Sequence, residues 1–155
     1  MITVKEALDH ILDSVVPLGL EKTDILSAWG RVIEEDIHAP RDIPPKDNSA
    51  MDGYAVRSEE TIGAGAESPV TLTVTEDIPA GYEPRKTVGP GEAARIMTGA
   101  PIPERADAVV KVEETACDDA GVRIYAAARH GENVRYAGED VAVGDLVIRA
   151  GTILR

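Results

Sequence analysis

Asp47 and Asp52 stand in the run Asp47-Asn48-Ser49-Ala50-Met51-Asp52-Gly53-Tyr54-Ala55, which offers carboxylate, amide and hydroxyl oxygens beside a glycine that lets the backbone approach a ligand closely. Such hard oxygen donors suit Mg²⁺, which takes one or two carboxylates and completes its shell with phosphate oxygens and water. An acidic loop can therefore hold a phosphorylated ligand only through a metal. The same residue types also build an Asx-turn leading into a strand, and composition alone leaves both readings open.

Two further segments carry chemistry. In Arg95-Ile96-Met97-Thr98-Gly99-Ala100-Pro101-Ile102-Pro103, the Thr98 hydroxyl sits where a strand runs into a rigid loop. It can touch a ligand oxygen or terminate the strand on local backbone, and Arg95 can contact an anion or form a surface ion pair. In Asn133-Val134-Arg135-Tyr136-Ala137-Gly138-Glu139-Asp140, an arginine fork faces two carboxylates across a glycine. That pattern places anion and metal contacts side by side, or forms an interdomain salt bridge.

Other patterns exclude more than they offer. Glu113 and Glu114 end an alternating segment, so one carboxylate faces each side of a sheet and a paired-carboxylate catalyst is not expected. His10, His38 and His130 lack metal-ligand spacing, and the glycines form no nucleotide-binding loop. Cys117 is the single cysteine, with no intrachain disulfide to form and no histidine partner close in sequence to make it a nucleophile.

The elements that must position these residues begin with a capping box, Thr3 and Glu6, followed by Val4, Ala7, Leu8, Ile11, Leu12 and Val15 at helical spacing up to Pro17 and Gly19. A second helical pattern starts at Asp24, passes Ile25, Leu26 and Ala28, and breaks or bends at Gly30 before Arg31 to Ile37; its apolar face is expected to pack on the first helix. From Ala39 to Gly53 the prolines at 40, 44 and 45 mark a boundary and a loop. Short strands are expected at Tyr54 to Arg57, Val70 to Thr75, Ala93 to Thr98, Ala108 to Glu113 and Gly121 to Ala126, with a hairpin closing at Asp118-Asp119-Ala120-Gly121. Val141 to Leu154 reads as short strands joined by tight turns.

Composition supports a folded chain whose core relies on Val, Ile, Leu and Ala, since 43% of residues are hydrophobic and there are one Trp, four Tyr and no Phe. A net charge of −12 argues against a phosphate-tracking nucleic-acid surface. Acidity is concentrated in the first 62 residues, so an anion is better accommodated in the more balanced region from 95 to 135. No apolar run suits a membrane span, and the first residues lack signal-peptide character, so a cytoplasmic location is expected.

Taken together, Pro44-Pro45, the Asp47–Ala55 run, Arg95 to Pro103, and Arg135 with Gly138-Glu139-Asp140 resemble the molybdopterin molybdenumtransferase family of MoeA and the gephyrin E domain in order and spacing. The resemblance covers essentially the whole chain and only the front part of a family member. It implies an α+β fold in which a small helical first domain, residues 1–42 and 138–155, is split by an inserted, mainly β second domain, residues 43–137. It also implies that a pterin-binding α/β domain and a C-terminal β domain belong to the complete protein.

The implied activity is insertion of molybdate into adenylylated molybdopterin with release of AMP, with Mg²⁺ present, by a homodimer whose upstream partner is a molybdopterin adenylyltransferase. Asp52 and Asp140 are the expected catalytic and metal-binding carboxylates; Thr98, Arg135 and Ser49 are the expected substrate contacts, and Glu113 and Arg95 match the pattern less closely. These residues would form one wall of a dimeric cleft, so this portion alone is expected to be inactive. Lys46 departs from the pattern, which commonly has an aromatic there; it leaves the carboxylates intact and removes ring packing from the loop. Two competing functions are a noncatalytic assembly module of the same family and a free small-molecule-binding β module.

Overall fold

The computed structural model describes residues 2–16, 18–119 and 121–155, which form two compact units. The first runs up to Ile37 and resumes at Leu146–Arg155; the second is His38–Asp145. The chain holds one α-helix, α1 (Val4–Asp13), and ten strands among the described residues. The strands are β1 (Ile37–His38), β2 (Asn48–Ser49), β3 (Gly53–Val56), β4 (Val70–Ile78), β5 (Glu92–Ile96), β6 (Ala108–Lys111), β7 (Thr115–Asp118), β8 (Gly121–Ile124), β9 (Val134–Arg135) and β10 (Leu146–Ile148).

In the first unit the capping box forms as its residues dictate: the Glu6 amide donates to the Thr3 hydroxyl at 3.2 Å, and Glu6 accepts from the Thr3 amide at 2.7 Å. The helix stops at Asp13, where the Ser14 amide bonds back to Ile11 and Leu12; Pro17, expected to end it, lies outside the described residues.

The expected helical first domain is corrected here. In place of a second helix there is one 3₁₀ turn, Ile25–Ser27, capped by Asp24. Gly30 then turns the backbone out of the helical region at φ +77°. Beyond it Arg31–Ile33 pairs with Gly151–Leu154 through the Gly30 amide to the Leu154 carbonyl and the Ile33 amide to the Thr152 carbonyl, both 2.9 Å. The β-branched Val32 and Ile33 suit that extended pairing. Among the described residues no helix is long and apolar enough to cross a membrane.

The second unit is built on a six-stranded sheet in the order β6-β3-β5-β4-β8-β7. All neighbours are antiparallel except β4 and β5, whose parallel pairing requires the crossover through residues 79–91. Thr75 is an extra residue in β4, since Val74 opposes Ala93 and Glu76 opposes Ala94, so the strand carries a bulge and bends there. Side-chain alternation divides the apolar residues between the two faces. Tyr54, Val56, Leu72, Val110, Val122 and Ile124 pack on one; Ala55, Ile78, Val88, Ile96, Ala100 and Val109 pack on the other. Fully burying such a Val or Ile contributes about 1.5–3 kcal/mol, and β3, buried along its whole length, supplies residues to both cores.

Most expected strands are present with shifted ends. Val112–Glu114 forms a 3₁₀ turn where strand was expected, and β7 was not foreseen. β7 and β8 pair antiparallel with Asp118 opposite Gly121; Ala120 of the expected hairpin turn lies outside the described residues.

Candidate active site

The run from Asp47 to Ala55 begins in a short ladder and ends in the sheet. Asn48 and Ser49 of β2 pair with Arg135 and Val134 of β9, and Gly53 then enters β3. Gly53 must be glycine because a Cβ there would overlap the Val110 carbonyl oxygen on β6. Between those points nearly every residue bonds to a distant segment. The Asp47 carbonyl accepts from the Ile102 amide at 3.0 Å, and its carboxylate accepts from the Ala137 amide at 2.8 Å. The Ser49 amide donates to the Ala100 carbonyl at 3.0 Å, and the Ala50 amide to the Asn133 carbonyl at 2.9 Å. The loop thereby joins the end of β5 to the segment around β9.

Asp52 and Thr98 meet at this junction. Asp52 Oδ1 accepts from the Thr98 amide at 2.7 Å and the Thr98 hydroxyl at 2.8 Å. Those two bonds, the amide first, hold the Asp52 carboxyl below the usual carboxylate range, and the Arg95 charge adds to them. Asp52 Oδ2 takes no hydrogen bond from any described residue, so this exposed oxygen remains open to a metal or a ligand hydrogen.

Arg135 and Asp140 form the second pair. One guanidinium nitrogen, Nη2, donates to Oδ1 at 2.7 Å and Oδ2 at 2.6 Å, and the hydrogen bond and charge of Asp140 raise the Arg135 pKa above its ordinary value. Glu139 lies 3.7 Å from Arg135 Nε and caps the turn by accepting from the Tyr136 amide. Nη1 has no hydrogen-bond or ion-pair partner among the described residues and is free for an oxyanion. Each Asp140 oxygen also keeps a lone pair beyond its bond to Arg135.

The remaining expected residues are placed differently. Ser49 is only 1% exposed, and its hydroxyl donates to the Met51 carbonyl and accepts from the Met51 amide, so it shapes the loop from inside. Arg95 lies 3.6 Å from Asp77 in an exposed pair. Glu113 is exposed in the 3₁₀ turn. Among the described residues no group of three or more His, Cys, Asp or Glu is placed to hold a metal, so Mg²⁺ here would depend on ligand oxygens to fill its shell. Residues alone did not reveal Asp47 as the clamp on Ala137, because that bond spans 90 positions. Asn133, whose carbonyl accepts from the Ala50 amide of the loop, turns through a positive φ of +57°, a conformation that asparagine tolerates.

The family described as "MoeA N-terminal region (domain I and II)" matches residues 2–155. Molybdopterin molybdenumtransferase 2 of Mycobacterium tuberculosis (strain CDC 1551 / Oshkosh) is 48% identical over 130 residues, covering 84% of this chain and 32% of that protein. The molybdopterin molybdenumtransferase of Nostoc sp. (strain PCC 7120 / SAG 25.82 / UTEX 2576) is 39% identical over 158 residues, covering 99% and 36%. The crystal structure of the molybdopterin biosynthesis moeA protein from Pyrococcus horikoshii OT3 superposes with a TM-score of 0.91 at 40% identity, over 97% of this chain and 40% of that one. The chain spans about a third of the length of the curated relatives it matches. The match along almost every residue, on a backbone that superposes this closely, means that the chain belongs to the MoeA N-terminal region family, domains I and II.

Proposed function

We propose that this chain supplies the Asp52–Thr98 and Arg135–Asp140 pairs to a site that inserts molybdate into adenylylated molybdopterin and releases AMP, a step of molybdenum cofactor biosynthesis. The names of its relatives support the reaction class. The observation that carries the reading is Asp52: one oxygen is saturated by Thr98, the other is open, and the carboxyl is held ionised. Thr98 positions that carboxylate and keeps hydroxyl lone pairs for a ligand donor. Arg135 keeps N–H groups for an oxyanion while Asp140 fixes its plane. Bound Mg²⁺ would neutralise phosphate or molybdate oxygens, with Asp52 Oδ2 and Asp140 as its candidate protein ligands.

The complete protein would act as a cytoplasmic homodimer downstream of a molybdopterin adenylyltransferase, and this portion alone would not turn over. Asp52→Asn in the complete protein tests the assignment: the amide oxygen still accepts from Thr98, so the fold is kept while the open negative charge is lost. Molybdate insertion should fall at least about a hundredfold, the scale set by losing one preorganised electrostatic group; full insertion by the variant would sink the reading. A second reading, an assembly module, is favoured by the exposed apolar residues Val4, Leu8, Ile11 and Leu12 of the first unit. It requires that adenylylated molybdopterin with Mg²⁺ bind neither this chain nor the complete protein.

A further inference from the structure

Lys46 precedes the clamp residue Asp47, and its ammonium bonds both carboxylate oxygens of Glu83, at 2.8 and 2.9 Å. Glu83 lies on the crossover loop between β4 and β5. That loop leaves the sheet beside the candidate site, since the Ile78 carbonyl accepts from the Met97 amide, next to Thr98, at 3.1 Å. Its far end is fixed by Glu76, whose carboxylate accepts from the Arg85 and Lys86 amides at 3.0–3.1 Å. Among the described residues the Lys46–Glu83 pair is the only hydrogen bond or ion pair that ties the crown between these anchors to the segment leading into the Asp47–Ala55 run.

The pair is exposed, at 57% and 69% for the two side chains, so water and salt screen it and its tie is weak. A lysine ammonium is a compact charge on a flexible stem and changes partner readily. A phosphate or molybdate dianion carries more total charge than a carboxylate and competes for the ammonium. Arg95 faces Asp77, and Arg135 pairs with Asp140 while keeping one terminal nitrogen open, so in a chain of net charge −12 a further cation adds to the neutralisation of a polyanionic ligand.

We propose that Lys46 is a further oxyanion-binding residue of the candidate site, which exchanges Glu83 for phosphate or molybdate oxygens of the ligand and thereby releases the crown of the crossover loop. The proposal deepens the reading above and rests on it for the position of the ligand. Its consequence is opposite effects from the two halves of one ion pair: loss of Lys46 removes a ligand contact, whereas loss of the Glu83 charge frees Lys46.

Titrating the intact protein separately with pyrophosphate and with molybdate, by calorimetry, provides the test. Lys46→Gln should weaken binding about fivefold and Glu83→Gln should strengthen it, the scale of one charge-assisted contact at an exposed site. The exchanged pair Lys46→Glu with Glu83→Lys restores the tie and should not restore binding. A larger response to pyrophosphate assigns the contact to the diphosphate of the pterin, and a larger response to molybdate assigns it to the metal oxyanion. In the unmodified protein, either anion should speed hydrogen exchange at the Tyr82 and Glu83 amides. Equal losses from both single substitutions with recovery in the exchanged pair, or no change in any variant, would overturn the proposal. Absence of molybdate insertion by the intact protein would instead count against the function proposed above, and the pyrophosphate titration would still decide the role of Lys46.

Discussion

Thr98 gives Asp52 two donors from a single residue, so the acidity of Asp52 reports on the geometry of the site. The folded-state carboxyl is held below its ordinary value, chiefly by the Thr98 amide and then by the hydroxyl. Asp52 therefore stabilises the fold above the unfolded carboxyl pKa, and that contribution is lost as pH falls through the depressed folded value. Thr98→Val removes the hydroxyl and keeps the amide, so a carboxyl-resolved NMR titration should find the Asp52 midpoint moved upward, and Thr98→Ser should return it. A midpoint indifferent to both changes would mean that the hydroxyl does not bind the carboxylate in solution. Each residue was recognisable as a polar group at a loop or strand end; their meeting was not, because 46 positions separate them. Ser49 shows the reverse limit, since a hydroxyl in a polar run looks available until its burial against Met51 is seen.

At the scale of elements, β3 converts the loop into a fixed platform, and Gly53 is the point of conversion. Its contact with the Val110 carbonyl involves backbone on both sides, so no rotamer can relieve an added methyl. Gly53→Ala should cost about 3 kcal/mol, at the upper end for overpacking, seen as a lower urea midpoint with little change in slope. A midpoint matching that of the unmodified chain would show that β3 and β6 can part without loss. The strands β3 to β6 were readable because apolar residues alternate across two cores or run continuously where both faces are buried. β7 was not, because Thr115–Asp118 contains no buried residue and owes its conformation to β8. The expected second helix failed for a related reason: Ile25, Leu26 and Ala28 supply one turn of apolar spacing, and the backbone after Gly30 finds partners in residues 151–154.

Across the whole molecule, burial is distributed unevenly. The second unit holds both apolar clusters, whereas α1 has no buried residue and leaves Val4, Leu8, Ile11 and Leu12 between 52% and 88% exposed. A ten-residue helix is below the roughly 12–15 residues at which isolated helices become even marginal in water. Its capping box contributes only about 1 kcal/mol against that deficit. Helix and sheet should therefore not unfold together in this chain. Native-state hydrogen exchange should find the α1 amides open at free energies near zero, while the hydrogen-bonded amides of β3, β5 and β6 require opening close to the global unfolding free energy. Adding the segments that continue beyond this region in its longer relatives should protect α1 if they cover its apolar face, and should leave β3 unchanged. Equal protection of α1 and β3 in the isolated chain would show that the helix draws stability from a contact that its exposed face does not reveal.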